Sequence, residues 1–115
     1  MHSPQLLDHF QNPRNAGEVP GADRVVETSN PVCGDILKLW LKIEGECIVK
    51  AGFKCRGCVA SMACGSVLTE LLTGRSLAEA QALTAAEIER AVGRLEPASK
   101  HAADLAIDAV RQILR

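Results

Sequence analysis

Two runs of alternating residues joined by a three-residue turn constrain this chain more than any other feature. In residues 35–43, Leu37, Leu39, Leu41 and Ile43 fall on one side and Lys38, Trp40 and Lys42 on the other. In residues 47–53, Cys47, Val49, Ala51 and Phe53 share a side opposite Ile48 and Lys50, with Lys54 continuing the polar set. A period of two is the mark of a strand with one face in the core and one in water. Glu44-Gly45-Glu46 between the runs is a turn, so the pair reads as an antiparallel hairpin. Residues 23–28, carrying Val25-Val26, supply a third strand. Cys47 belongs to the apolar set and reads as a core residue.

A one-sided sheet must be covered, and the rest of the chain reads as helix. Residues 4–11 form a short helix with Leu6, Leu7 and Phe10 to one side, stopped by Asn12-Pro13. From Cys58 to Leu72 there is no proline, and Thr73-Gly74 supplies the closing glycine. Ser76 with Glu79 and Thr84 with Glu87 are capping boxes, opening helices over 77–82 and 85–92. After Pro97 a last helix runs to about Leu114, with Ala102, Leu105, Ala106, Ala109 and Ile113 as its buried stripe. The expected fold is α+β, one domain over residues 1–115. It has a three-stranded antiparallel sheet, an N-terminal helix, and C-terminal helices packed on one face.

Bulk properties narrow the function classes. Apolar residues make up 47% of the 115 and charged residues 23%, with a net charge of −1 and both signs interleaved. That pattern, with two Phe, one Trp and no Tyr, gives neither a basic footprint nor stacking platforms for nucleic acid. No apolar run approaches the ~20 residues that span a bilayer, and no charged leader precedes an apolar stretch. A cytoplasmic, reducing setting is therefore expected, where five cysteines suit metal or thiol chemistry better than disulfides.

Three places could carry that chemistry. Cys33-Gly34-Asp35 lies between the first two strands, where an extended backbone would point thiol and carboxylate the same way. The alternative is a turn cysteine beside a solvated aspartate, and both readings stand. Cys55-Arg56-Gly57-Cys58 lies at the strand-to-helix junction. Cysteines two residues apart can share a metal, and Cys58 would sit at a helix N-terminus, with Arg56 and Lys54 favouring its thiolate. The alternative is a tightly packed corner. Cys64, six residues further, lies about 9 Å along the axis and reads as a small buried residue. His101 opens the last helix, where a lone histidine is more often a surface or capping group than a ligand. His2 and His9 carry no assigned chemistry. A thioredoxin-like use of Cys55 and Cys58 lacks the strand-and-helix order of that fold, and no phosphate loop or serine elbow appears.

Together these pieces resemble the IscU/NifU-type iron–sulfur scaffold family over almost the whole chain. Asp8-His9-Phe10-Gln11-Asn12-Pro13-Arg14-Asn15 with Gly17 is similar to its N-terminal signature. Cys33-Gly34-Asp35 resembles its first cluster cysteine with the accompanying aspartate. Phe53-Lys54, Gly57-Cys58, Leu68-Thr69-Glu70 and Gly74-Arg75-Ser76-Leu77 resemble the second cysteine and the helix behind it. His101 falls where the family has a histidine. The resemblance implies a protein that accepts sulfur as a persulfide from a cysteine desulfurase, and Cys58 is a candidate acceptor. It also implies that the protein binds iron, holds a [2Fe–2S] cluster transiently and passes it to recipient apo-proteins.

Two departures matter. The family's third cysteine follows the histidine, and here that residue is Ala102. Cys55, not a family cysteine, could replace it, giving a site of Cys33, Cys58 and Cys55 completed by Asp35 or His101. Leu95-Glu96-Pro97-Ala98-Ser99 keeps little of the Leu-Pro-Pro-Val-Lys segment that a dedicated chaperone recognises in other members. Two further readings stay open. One is a zinc-dependent sulfur acceptor of the SufU-like branch. The other is an accessory protein that binds the desulfurase without assembling a cluster. A monomer or weak homodimer is expected.

Overall fold

The computed structural model describes residues 2–31 and 34–115. Helix α1 (Pro4–Gln11) leads to strands β1 (Arg24–Ser29), β2 (Ile36–Glu44) and β3 (Cys47–Arg56). Helices α2 (Val59–Leu72), α3 (Leu77–Gln81), α4 (Ala85–Ala91) and α5 (His101–Ile113) follow, with a 3-10 turn at Pro97–Ser99. The strands form one antiparallel sheet in the order β1-β2-β3. The expected α+β architecture holds, with helix boundaries within a residue or two of those read from the caps.

The sheet's inner face is the one the alternation marks on β2. Leu37, Leu39 and Leu41 are buried there, opposite Cys55, Phe53 and Ala51 of β3. Helix α2 packs on β3 and α1, and α5 packs on β1, β2 and α2. Because α2 is covered by all of these, ten of its fourteen residues are buried, from Ala60 to Leu72. A helix apolar nearly all round is a core helix. One hydrophobic cluster joins the sheet to α1, α2, α4 and α5, from Leu6 to Leu114.

Two expectations need correction. In α1, Leu6 is buried but Leu7 is 38% exposed, and His9 takes the inward position instead. Residues one apart on a helix point about 100° away from each other, so the face that meets α2 runs through Leu6 and His9. In β3, Cys47 is exposed and Val49 is 41% exposed, while Ile48 is fully buried. The register shifts here: Lys42 pairs with Lys50, yet Ile43 pairs with Ile48, leaving Val49 as the extra residue of a β-bulge. The bulge reverses the alternation for residues 47 and 48. The α2–α3 connection pins it: Ile48 N–H donates to the Arg75 carbonyl at 2.8 Å and Gly74 N–H to the Ile48 carbonyl at 2.8 Å.

On the outer face Trp40 is nearly buried, with the Lys38 and Lys54 ammonium groups 5.0 and 5.9 Å from its ring centroid. Beside it the 15–19 segment lies along β3. Gly17 N–H donates to the Phe53 carbonyl at 2.7 Å, and Phe53 N–H donates to that of Asn15 at 3.2 Å. Gly52 permits this approach, since a Cβ there would meet the Gly17 carbonyl oxygen at 2.5 Å.

Among the described residues no helix is long and apolar enough to cross a membrane.

Candidate metal centre

Three elements end at one point. Asp35 directly precedes β2, Cys58 is the N-cap of α2, and His101 is the first residue of α5. Cys58 caps because its backbone is extended (φ −74°, ψ 165°) and its sulfur accepts the Ser61 N–H at 3.4 Å. The capping geometry thus turns the thiol toward the helix's free N–H groups, where negative charge is favoured.

His101 Nε2 lies 3.7 Å from Cys58 Sγ and 3.6 Å from Asp35 Oδ2. One donor atom from each of the three residues lies within 4.8 Å of the others. Sulfur and nitrogen bound to a single tetrahedral ion at about 2.3 and 2.0 Å stand roughly 3.5 Å apart, close to these separations. Thiolate, imidazole and carboxylate together suit a borderline ion such as zinc or ferrous iron.

Asp35 is 6% exposed and its carboxylate is held from several sides. Ser61 Oγ donates to Oδ2 at 2.6 Å and the Cys58 N–H donates at 3.3 Å. Gly57 lies against the same carboxyl: a Cβ built there would stand 2.4 Å from Asp35 Cγ. The glycine before Cys58 therefore makes room for the carboxylate.

Asp35, Cys58 and His101 come together, with the His101 side chain 28% exposed. Cys33 lies outside the described residues. Cys55 is half-buried on β3, paired across from Leu37 and packed against the core, and the cluster found among the described residues is Asp35, Cys58 and His101. It lines an 820 Å³ groove with Phe10, Pro13, Met62, Lys54 and Arg56. Lys54 sits over Trp40 on the outer face. Cys64 is fully buried, and burial pushes its thiol up to about 12. Ala102 is 1% exposed, its methyl turned into the core, so the residue after His101 offers no donor.

Sequence reasoning passed over two groups. Ser61 stands three residues after the N-cap, the position where a capping-box partner sits, and that spacing could have marked it. His9 is buried, with Nδ1 2.8 Å from Ser66 Oγ and Nε2 3.5 Å from a Glu70 carboxylate oxygen. Ser66 Oγ also accepts the Arg14 N–H at 2.8 Å, and Asn15 Nδ2 donates to Thr69 Oγ1 at 3.2 Å. The N-terminal signature is thus a clasp that fastens residues 8–15 to α2, behind the helix end that carries Cys58.

Comparison with known proteins places the chain in a family. The scaffold protein IscU 1 of Archaeoglobus fulgidus is 38% identical over 114 residues, covering 99% of this chain and 74% of that protein. The IscU scaffold of Escherichia coli K12 is 38% identical over 114 residues, covering 96% of this chain and 88% of its own. In fold, the chain is similar to a SUF-system scaffold structure from Fervidobacterium islandicum AW-1. The TM-score is 0.85 at 21% identity, over 99% of this chain and 96% of that one, a likeness of fold alone. The model of the NifU-like N terminal domain matches residues 1–115, which include every group of the centre and of the clasp, and the chain belongs to that family.

Proposed function

We propose that this chain is an iron–sulfur cluster assembly scaffold. It takes sulfur from a cysteine desulfurase, binds iron and holds a [2Fe–2S] cluster until an apo-protein receives it. The convergence of Asp35, Cys58 and His101 at the joined ends of β2, α2 and α5 carries this reading. The names of its IscU relatives support it. Cys58 is the sulfur acceptor: its thiolate attacks the outer sulfur of the desulfurase persulfide, the S–S bond breaks, and the desulfurase thiolate leaves. Conversion of that sulfane sulfur to sulfide takes two electrons from an external reductant. Asp35 and His101 then serve with Cys58 as iron ligands, and Cys33 is the further thiolate. With alanine at 102, Cys55 is the remaining candidate for a third. A carboxylate among thiolates leaves the cluster less tightly held, which suits cargo.

The separations of 3.6 and 3.7 Å also favour a second reading, in which one zinc ion holds the acceptor thiolate and releases it for sulfur transfer. Anaerobic reconstitution with iron, cysteine and a desulfurase separates the two. Charge-transfer bands between roughly 320 and 460 nm, with matched iron and sulfide, are expected for the scaffold. A colourless protein with one tightly held zinc that stimulates the desulfurase would establish the second reading instead. A colourless, metal-free protein that still binds the desulfurase would make it an accessory subunit.

A further inference from the structure

Ser61 belongs to α2, is 2% exposed, and contacts two of the three groups at the centre, Asp35 and Cys58. Its hydroxyl donates to Asp35 Oδ2 at 2.6 Å, and its backbone N–H donates to Cys58 Sγ at 3.4 Å. Cys58 Sγ is also 3.4 Å from Ser61 Oγ, so the thiol S–H can donate to the oxygen whose own proton goes to Asp35. The bond to Asp35 is shorter than the 3.3 and 3.6 Å contacts that Cys58 N and His101 Nε2 make with the same oxygen. One side chain therefore ties a carboxylate at the start of β2 to the thiol-bearing end of α2. The tie survives loss of the thiol proton. The hydroxyl proton still belongs to Asp35, and the backbone N–H still faces the sulfur.

We propose that Ser61 is a positioning residue of the metal centre, holding the Asp35 carboxylate at ligating distance from Cys58 and His101. The inference rests on the reading of those three residues as metal ligands. Hydrogen bonds to a metal's ligands orient them, and losing one typically lowers affinity about 10–100-fold. Ser61→Ala removes the hydroxyl and leaves the backbone N–H cap in place.

The test is an anaerobic titration of the purified protein with cobalt(II), read by its ligand-field and thiolate charge-transfer bands, for wild type, Ser61→Ala, Asp35→Ala and the double variant. Ser61→Ala is expected to weaken cobalt binding by about 10–100-fold, to keep the thiolate band and to alter the ligand-field band. Adding Ser61→Ala to Asp35→Ala should cost nothing further, because the hydroxyl acts through that carboxylate. A merely structural serine would instead weaken binding equally in both backgrounds, and that result would overturn the proposal. So would wild-type affinity in Ser61→Ala while Asp35→Ala is impaired. If Asp35→Ala itself binds cobalt as wild type does, the reading of the centre fails, and this inference with it.

Discussion

Replacing Gly57 by alanine tests the packing that places Asp35. Gly57 does not have a positive φ, so the substitution acts through space rather than backbone strain. The new Cβ would stand 2.4 Å from Asp35 Cγ, 2.6 Å from Oδ1 and 2.8 Å from Cβ. Ordinary carbon contact needs about 3.5 Å, so the carboxyl must retreat by roughly 1 Å. A retreat along the Ser61 hydrogen bond would stretch its 2.6 Å to roughly 3.6 Å, beyond bonding range. Overpacking of this kind costs about 1–3 kcal/mol. For a chain of this length that lowers Tm by roughly 4–12 °C. The displaced ligand should also weaken cobalt(II) or zinc binding by about 10–100-fold. Thermal unfolding by circular dichroism and an anaerobic cobalt titration read the two effects separately. A Gly57→Ala protein with wild-type Tm and wild-type metal affinity would refute the claim that this glycine makes room for the carboxylate.

Burial lowers the His9 pKa from its ordinary 6.5 and Arg14 adds to the effect, while Glu70 and Asp8 oppose it. The native state therefore holds fewer protons at His9 than the unfolded chain. Its contribution to stability is full above about pH 6.5 and is lost as pH falls through the lowered pKa. Urea unfolding from about pH 7 to 5 should show that loss, and His9→Gln should reduce the slope. Thiol reactivity is the third check: at about pH 8 the exposed Cys47 and Cys58 should react with a disulfide reagent while Cys64, its pKa about 12, reacts when the chain is unfolded. Rapid labelling of Cys64 in the native protein would contradict its burial.

The parts of this fold that were legible in the sequence were those fixed by local chemistry. Leu37, Leu39 and Leu41 mark the inner face because only one phase of β2 is uniformly apolar. Ser76 with Glu79 forms the expected capping box, the Glu79 side chain accepting the Ser76 N–H at 2.9 Å. The start of β3 was not legible, because Cys47 and Val49 in one phase and Ile48 in the other are all apolar. The choice is made by Gly74 and Arg75, more than twenty residues away, which bond to the Ile48 backbone. His9 was missed for a similar reason: its partners Ser66 and Glu70 lie on α2, and nothing local to α1 reveals them. At the candidate centre, the Cys58 helix N-terminus was legible from the Gly57-Cys58 junction, but its meeting with Asp35 and His101 depends on three chain segments coming together. Ser61 could have been read from the cap spacing, and Cys55 continues the phase of Ala51 and Phe53, so its place on the core side of β3 was readable from the alternation.

The most direct test of the central claim is X-ray absorption of the zinc- or cobalt-loaded protein at the metal edge. Sulfur at about 2.3 Å together with nitrogen or oxygen at about 2.0–2.1 Å is expected. The imidazole signature should vanish in His101→Ala, and the sulfur shell should shrink in Cys58→Ser. A first shell that neither substitution changes would contradict the convergence of Asp35, Cys58 and His101 on one ion.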